Sequence, residues 1–117
     1  MKRTFVELPI FQKRWDELGL NDKDLRNLQE KLLDDPKIGA VMQGTGGVRK
    51  MRFAFEHHGK SGGVRVIYVD FEVYEKIYLI TAYTKSKKEN LTKEERNEIH
   101  DLIDILTKQL EEDGKQK

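Results

Sequence analysis

Residues Gly44 to Lys88 read GTGGVRKMRFAFEHHGKSGGVRVIYVDFEVYEKIYLITAYTKSKK. Three apolar-rich runs, Val48–Phe55, Gly63–Phe71 and Lys76–Thr84, are separated by two polar connections. Val, Ile, Tyr and Phe fill the runs, as side chains that pack well on a pleated surface, and Gly and charged residues fill the gaps. The pattern predicts three successive antiparallel strands. Side chains alternate between the two faces of a strand. In the first run Val48, Lys50, Arg52 and Ala54 therefore share one side, and Arg49, Met51, Phe53 and Phe55 the other. In the second, Val64, Val66, Tyr68 and Asp70 alternate with Gly63, Arg65, Ile67, Val69 and Phe71. Arg65 is thus a cation in the middle of an apolar strand, a position that charge rarely takes without a reason. The third run ends in Tyr83-Thr84-Lys85-Ser86-Lys87-Lys88, an aromatic followed by a basic cluster. Cations fixed on strands beside an aromatic suit a polyanion. The competing reading is that they are ordinary solvated charges on an open sheet, and for Lys87 and Lys88 it has equal weight.

The bulk numbers bound the rest. A chain of 117 residues suits one domain, expected to span residues 1–117. Hydrophobic and charged residues each make up 37%, yet the apolar positions are periodic, so a folded core is expected rather than disorder. No apolar run is long enough to span a membrane and no signal peptide is visible, which makes the cytoplasm the expected location. The absence of cysteine excludes disulfides and thiolate metal sites. Net charge is only +1, which by itself argues against a generic nucleic-acid binder. Its distribution is more telling. Residues 49–88 carry nine Lys and Arg against four Asp and Glu, and residues 89–117 carry five against nine. The strand region is basic and the last segment acidic.

Outside the strands, Lys2–Glu7 predicts a short first strand, ended by Leu8-Pro9. Pro9 suits the first turn of a helix, Ile10, Phe11, Trp15 and Leu18 follow at helical spacing, and Gly19 offers a stop. Trp15 is a core residue on this reading, with base stacking the minor alternative. Asn21 caps a second helix with Asp22 and Asp24 in its first turn, and Leu25, Leu28, Leu32 and Leu33 form its stripe up to Asp35-Pro36. The segment 37–47 (KIGAVMQGTGG) is not a nucleotide-binding P-loop, because it lacks the Gly-Lys-Ser/Thr ending and precedes a strand. It is expected to be a flexible connection, with a weak alternative as an RNA-phosphate contact. His57 and His58 have no Cys or carboxylate at ligand spacing, so no metal is expected there. A proton-transfer role for one of them stays open. Thr92 and Glu95 form a capping box for a last helix lined by Ile99, Leu102, Ile103, Leu106 and Leu110. His100 falls on its surface, and Asp113–Lys117 reads as a frayed tail.

The segments GTGGVRKMRF, KSGGVRVIYV and YLITAYTKSKKENLT, in the order strand, two helices, three strands, helix, resemble the RelE superfamily of bacterial toxins, in particular its HigB-like branch. The resemblance covers nearly the whole chain. It implies an α+β, RelE-like microbial RNase fold: a small twisted antiparallel sheet of one N-terminal strand plus three successive strands, with two N-terminal helices, a C-terminal helix, and helices mainly on one face. It also implies a toxin of a type II toxin–antitoxin system, an mRNA interferase that cuts mRNA in the ribosomal A site. Its implied partners are the ribosome, mRNA and a cognate antitoxin, of helix-turn-helix, HigA-like type. Operator DNA would be met only through that antitoxin, and neither a membrane nor a cofactor is implied.

Cleavage by the RNA's own 2′-OH needs a base, cations for the phosphorane and an acid for the leaving 5′-oxygen. By the resemblance, Lys50 and Arg52 match the paired cations of the first active-site strand. Arg65 matches the strand arginine at the scissile phosphate, and Lys85 the basic position after the last strand. Tyr83 is the nearest aromatic. Arg49, Lys60, Lys87 and Lys88 complete the surface as candidate RNA contacts, and no metal is expected. Some relatives carry a Tyr or His beyond the final strand, whereas no Tyr follows Tyr83 here. That leaves the base open between Lys50, with a depressed pKa, and Tyr83. Arg52 and Arg65 stay protonated and act electrostatically. Two other readings share the fold: a non-catalytic module that binds RNA or protein, and a degenerate toxin kept only to bind its antitoxin.

Overall fold

The computed structural model describes residues 2–54, 63–84 and 90–115. Its elements run β1 (Thr4–Glu7), α1 (Pro9–Glu17), α2 (Asp22–Asp34), β2 (Ala40–Val41), β3 (Arg49–Phe53), β4 (Val64–Phe71), a 3-10 turn at Glu72–Tyr74, β5 (Lys76–Thr84) and α3 (Lys93–Lys115). The five strands form one sheet in the order β1-β5-β4-β3-β2. This is the expected α+β fold with two additions. The first strand lies parallel to β5, because the α1–α2 hairpin carries the chain back before the antiparallel strands begin. The short β2 was not expected: two residues are too few to show a period.

Local chemistry explains the helices. Pro9 opens α1. At α2 the Asp24 N–H donates to Asn21 Oδ1 at 2.9 Å, and the Asn21 N–H donates to Asp24 Oδ2 at 2.9 Å. The same reciprocal box opens α3: the Glu95 N–H donates to Thr92 Oγ1 at 3.1 Å, and the Thr92 N–H to Glu95 Oε1 at 2.9 Å. That helix continues to Lys115, past the tail expected from Asp113 onward, and residues 116–117 lie outside the described residues.

The sheet is covered on both faces, where the resemblance implied helices mainly on one. Phe11 and Trp15 of α1 and Leu28 and Leu32 of α2 pack on Met51, Phe53, Val64, Val66, Tyr68, Ile77 and Leu79. On the other face Ile99, Ile103, Leu106 and Leu110 of α3 pack on Val48, Ile67, Val69 and Ile80. The cause is β4, the middle strand, which is apolar on both sides over most of its length and must lose water from both. Trp15 is a core residue, 4% exposed, and its Nε1–H donates to Asn21 O at 3.3 Å. Arg3 joins β1 to β4 through Asp70, with Nε–Oδ1 at 2.8 Å and Nη2–Oδ2 at 3.3 Å.

The glycine-rich connection is a built turn rather than a flexible one. The fully buried Thr45 donates its hydroxyl to Met42 O at 2.6 Å and accepts from the Val48 N–H at 3.1 Å. At Gly46, with φ +81°, a Cβ would lie 3.4 Å from Ile103 Cγ2 of α3. Tyr68 ties down the preceding residues, donating to Pro36 O at 2.8 Å and accepting from the Gly39 N–H at 3.0 Å.

Candidate active site

Register brings the basic residues together. Arg52 on β3 stands opposite Arg65 on β4, and Arg65 stands opposite Tyr83 on β5. The three side chains make one row across three strands. Lys50 lies on the same side of β3 as Arg52, one step along toward Val48. All four therefore face the side of the sheet that α3 covers.

One irregularity makes the row possible. Ile67 pairs with Thr81 but Tyr68 pairs with Leu79, so β5 carries one extra residue there. Such a bulge inverts the facing of every residue beyond it. Ile77 and Leu79 belong to the α1–α2 core, and so does Ala82, an odd number of residues further along. Tyr83 consequently faces α3 and Arg65. In an unbroken strand it would point into the α1–α2 core.

The row is unfavourable for folding alone. Like charges directly opposite across a ladder repel by a few tenths of a kcal/mol or more, and Arg65 is only 8% exposed. Arg65 interacts with neighbours in the fold, whereas Arg52 is open to solvent. Lys50 is half-buried, and its Nζ donates to Asn90 Oδ1 at 3.2 Å, just ahead of the α3 cap. That contact holds the amine over the sheet. Burial pushes the Tyr83 phenol above its ordinary value of 10.0. Arg65 pulls the other way, Glu95 adds to the rise, and Arg96 opposes it. The phenol is therefore a neutral hydrogen-bond donor at neutral pH.

Other candidates fall elsewhere. Arg49 belongs to the opposite side of β3, and its Nη1 donates to Gly39 O at 2.7 Å and Lys37 O at 3.2 Å. The structure does not bring it together with Lys50, Arg52 and Arg65. Lys60, Lys85, Lys87 and Lys88, with His57 and His58, lie outside the described residues. His100 is exposed on α3, with Nδ1 3.8 Å from Asp104 Oδ2. Among the described residues no group of three His, Asp, Glu or Cys side chains converges to hold a metal ion.

Two residues near the row, Asn90 and Arg96, escaped the sequence reading, and a third, Glu95, was read only as half of a capping box. Asn90 holds Lys50, while Glu95 and Arg96, at the start of α3, act on the Tyr83 phenol. They sit in an acidic segment whose overall charge conceals one arginine. A cleft of about 580 Å³ opens beside Tyr83 where β1 stops pairing at Leu79, between Ile10 of α1 with Leu18 just after it, β5 (residues 80–84), and Ile99 of α3 with Leu91 just ahead of it. Its walls are largely apolar, and Glu17, Glu95 and Glu98 outnumber Arg14 among its charges, so the positive charge lies in the row and not in the cleft.

Comparison with known proteins adds a family. The family model for the RelE toxin of the RelE/RelB toxin–antitoxin system matches residues 3–116. Among solved structures, an arginine double mutant of the E. coli toxin RelE in the free state superposes with a TM-score of 0.53 at 19% identity, covering 76% of this chain and 90% of that one. The intact E. coli RelBE toxin–antitoxin complex also matches, with a TM-score of 0.53 at 16% identity, over 72% of this chain and 96% of that one. At such identities the structures speak for the fold.

Proposed function

The chain belongs to the RelE toxin family of the RelE/RelB toxin–antitoxin system, and from that premise we propose that it is a ribosome-dependent mRNA endoribonuclease. It cuts mRNA in the ribosomal A site and is neutralised by a cognate antitoxin. The partner is of helix-turn-helix type on the HigB-like reading, and the cytoplasm is where the ribosomes are met. The observation that carries this is the cross-strand row of Arg52, Arg65 and Tyr83, with Lys50 beside it on the same face. Opposed guanidinium groups repel one another in the fold, whereas a phosphodiester in cleavage is stabilised by both.

The reaction follows from those groups. Lys50 takes the proton of the 2′-OH, and the 2′-oxygen attacks phosphorus. Arg65 and Arg52 stabilise the extra negative charge of the phosphorane through charge-assisted hydrogen bonds. The bond from phosphorus to the 5′-oxygen breaks, the leaving oxygen takes a proton, and the products are a 2′,3′-cyclic phosphate and a 5′-hydroxyl. Tyr83, whose phenol burial pushes further from ionisation, serves in this reading as a proton donor and not as the base. Lys85 and the basic residues at positions 60, 87 and 88 are further RNA contacts in this reading. The route needs no metal ion, because the nucleophile is the substrate's own hydroxyl. A net charge of +1 leaves much of the RNA positioning to the ribosome.

Induction in bacteria tests the reading. Growth arrest is expected from the native chain and its loss from Arg52→Gln and Arg65→Gln, each checked for folding by thermal denaturation. Equal toxicity of all three would overturn it and favour a module that binds RNA or antitoxin without cutting.

A further inference from the structure

Parallel pairing with β1 covers β5 only as far as Leu79, where the Leu8 N–H donates to Leu79 O at 3.0 Å. Pro9 then opens α1 and turns the chain away. β5 runs on to Thr84 with β4 on its other side. Among the described residues no strand lies beside residues 80–83 on the side that β1 has left. The cleft of about 580 Å³ lies along that side. Side chains alternate along a strand, so a cavity on one face of a sheet is lined by every second residue. This cleft is lined by residues 80–84 in unbroken succession, which places it at the edge of the strand. A strand aims its N–H and C=O groups at both of its neighbours, and an edge without a neighbour readily takes a further strand. The opposite walls are apolar, with Ile10 on α1 and Ile99 and Leu102 on α3. The rim sets Glu17, Glu95 and Glu98 against Arg14, and that guanidinium already meets Glu17, with Nη1–Oε1 at 2.7 Å.

We propose that this edge is the docking site of an extended segment of the cognate antitoxin, apolar with Lys or Arg interspersed, which adds to β5 as a strand in line with β1. This rests on the toxin reading above and names the chemistry of the segment that neutralises it. A polypeptide main chain offers N–H and C=O groups at the pitch of β5, and its alternate side chains enter between the apolar walls. Cations on the segment meet the carboxylate excess of the rim. RNA would bring phosphates to that same excess, and its bases do not match the repeat of a strand. Tyr83 lines the cleft and also stands opposite Arg65, so a strand seated at the edge lies against the phenol that the row uses.

The test is amide hydrogen exchange of the full chain, free and saturated with its cognate antitoxin, together with the antitoxin's affinity for wild type, Ile10→Glu and Glu98→Lys. Ile10 is 41% exposed and Glu98 is exposed, so both variants should fold, as thermal denaturation checks. Amides of residues 80–83 that β4 does not pair should exchange at least about tenfold more slowly in the complex. Ile10→Glu should weaken binding about tenfold. Glu98→Lys should weaken it at low salt and less at high salt. Neither residue belongs to the row, so each variant alone should arrest growth as the wild type does and need more antitoxin for rescue. Unchanged exchange across residues 80–83 in the complex would overturn the site, and so would equal affinity of all three proteins. Exchange slowed there by a 2′-O-methylated RNA, or by raising the concentration of the chain alone, would give the cleft to another occupant and overturn it too. Failure of the endoribonuclease reading looks different. A wild type that arrests no growth, yet holds the antitoxin against residues 80–83, would sink the enzyme and leave this site standing.

Discussion

Arg52 and Arg49 are three residues apart on β3 and face opposite sides of the sheet, so they separate the site's chemistry from the fold's. Arg52 is exposed beside Arg65, and its removal relieves a like-charge contact. Arg52→Gln should therefore leave the melting temperature unchanged or slightly raised while cleavage falls about 100-fold, the usual cost of one donor to a developing oxyanion. Arg49 instead spends its guanidinium on the Gly39 and Lys37 carbonyls. Arg49→Gln should lower stability by about 1 kcal/mol, measured by urea denaturation. The Arg3–Asp70 pair is a stronger case of the same kind, since the two side chains are 7% and 3% exposed. Asp70→Asn removes the carboxylate that pairs with Arg3, leaving only the weaker pull of Glu72 and Glu75, and should cost about 2 kcal/mol, read as a lower urea midpoint at unchanged slope.

The reciprocal cap that opens α3 is a single-residue target with an element-wide effect. Thr92→Ala removes the hydroxyl that receives the Glu95 N–H and should destabilise the protein by about 1 kcal/mol. Thermal denaturation checks it, and an unchanged midpoint would mean that packing alone holds the first turn. The Thr92–Glu95 box was legible because its residues sit three apart in sequence, whereas at α2 the cap Asn21 was legible and the return bond from Asp24 was not. The strands β3, β4 and β5 were legible from alternation, and so was the common side of Lys50 and Arg52. The placement of Tyr83 was not, because it depends on the bulge at β5, and no residue type in KIYLITAYT announces where a ladder slips. The second helical layer was visible in principle. The run VRVIYV is apolar on both sides apart from Arg65, as a strand covered on both faces must be. Arg96 stayed hidden because its neighbours in sequence are acidic, while the group it acts on, the Tyr83 phenol, belongs to a distant strand.

Across the whole molecule, the uneven charge becomes a spatial arrangement. The basic strands and the acidic last helix pack against one another, so attraction between them contributes to folding while the sheet row stays positive. Three phenols share another global property. Burial pushes Tyr68, Tyr78 and Tyr83 above the ordinary 10.0. A raised value in the folded state means the fold favours the protonated phenol. That contribution is fully present below pH 10.0 and is lost as pH rises through the folded values. Stability should accordingly fall steeply in an alkaline titration above about pH 10, with tyrosinate absorbance appearing together with unfolding. Absorbance that rises while the fold persists would show the phenols to be freely ionisable. The central claim is that the strand row cuts mRNA held by the ribosome. Primer-extension mapping of a reporter mRNA in a reconstituted translation reaction, with and without ribosomes, for wild type and Arg65→Ala tests it most directly. The account predicts cuts at A-site codons that require ribosomes and vanish in the variant. A folded, antitoxin-free wild type that leaves the mRNA intact on translating ribosomes would contradict it.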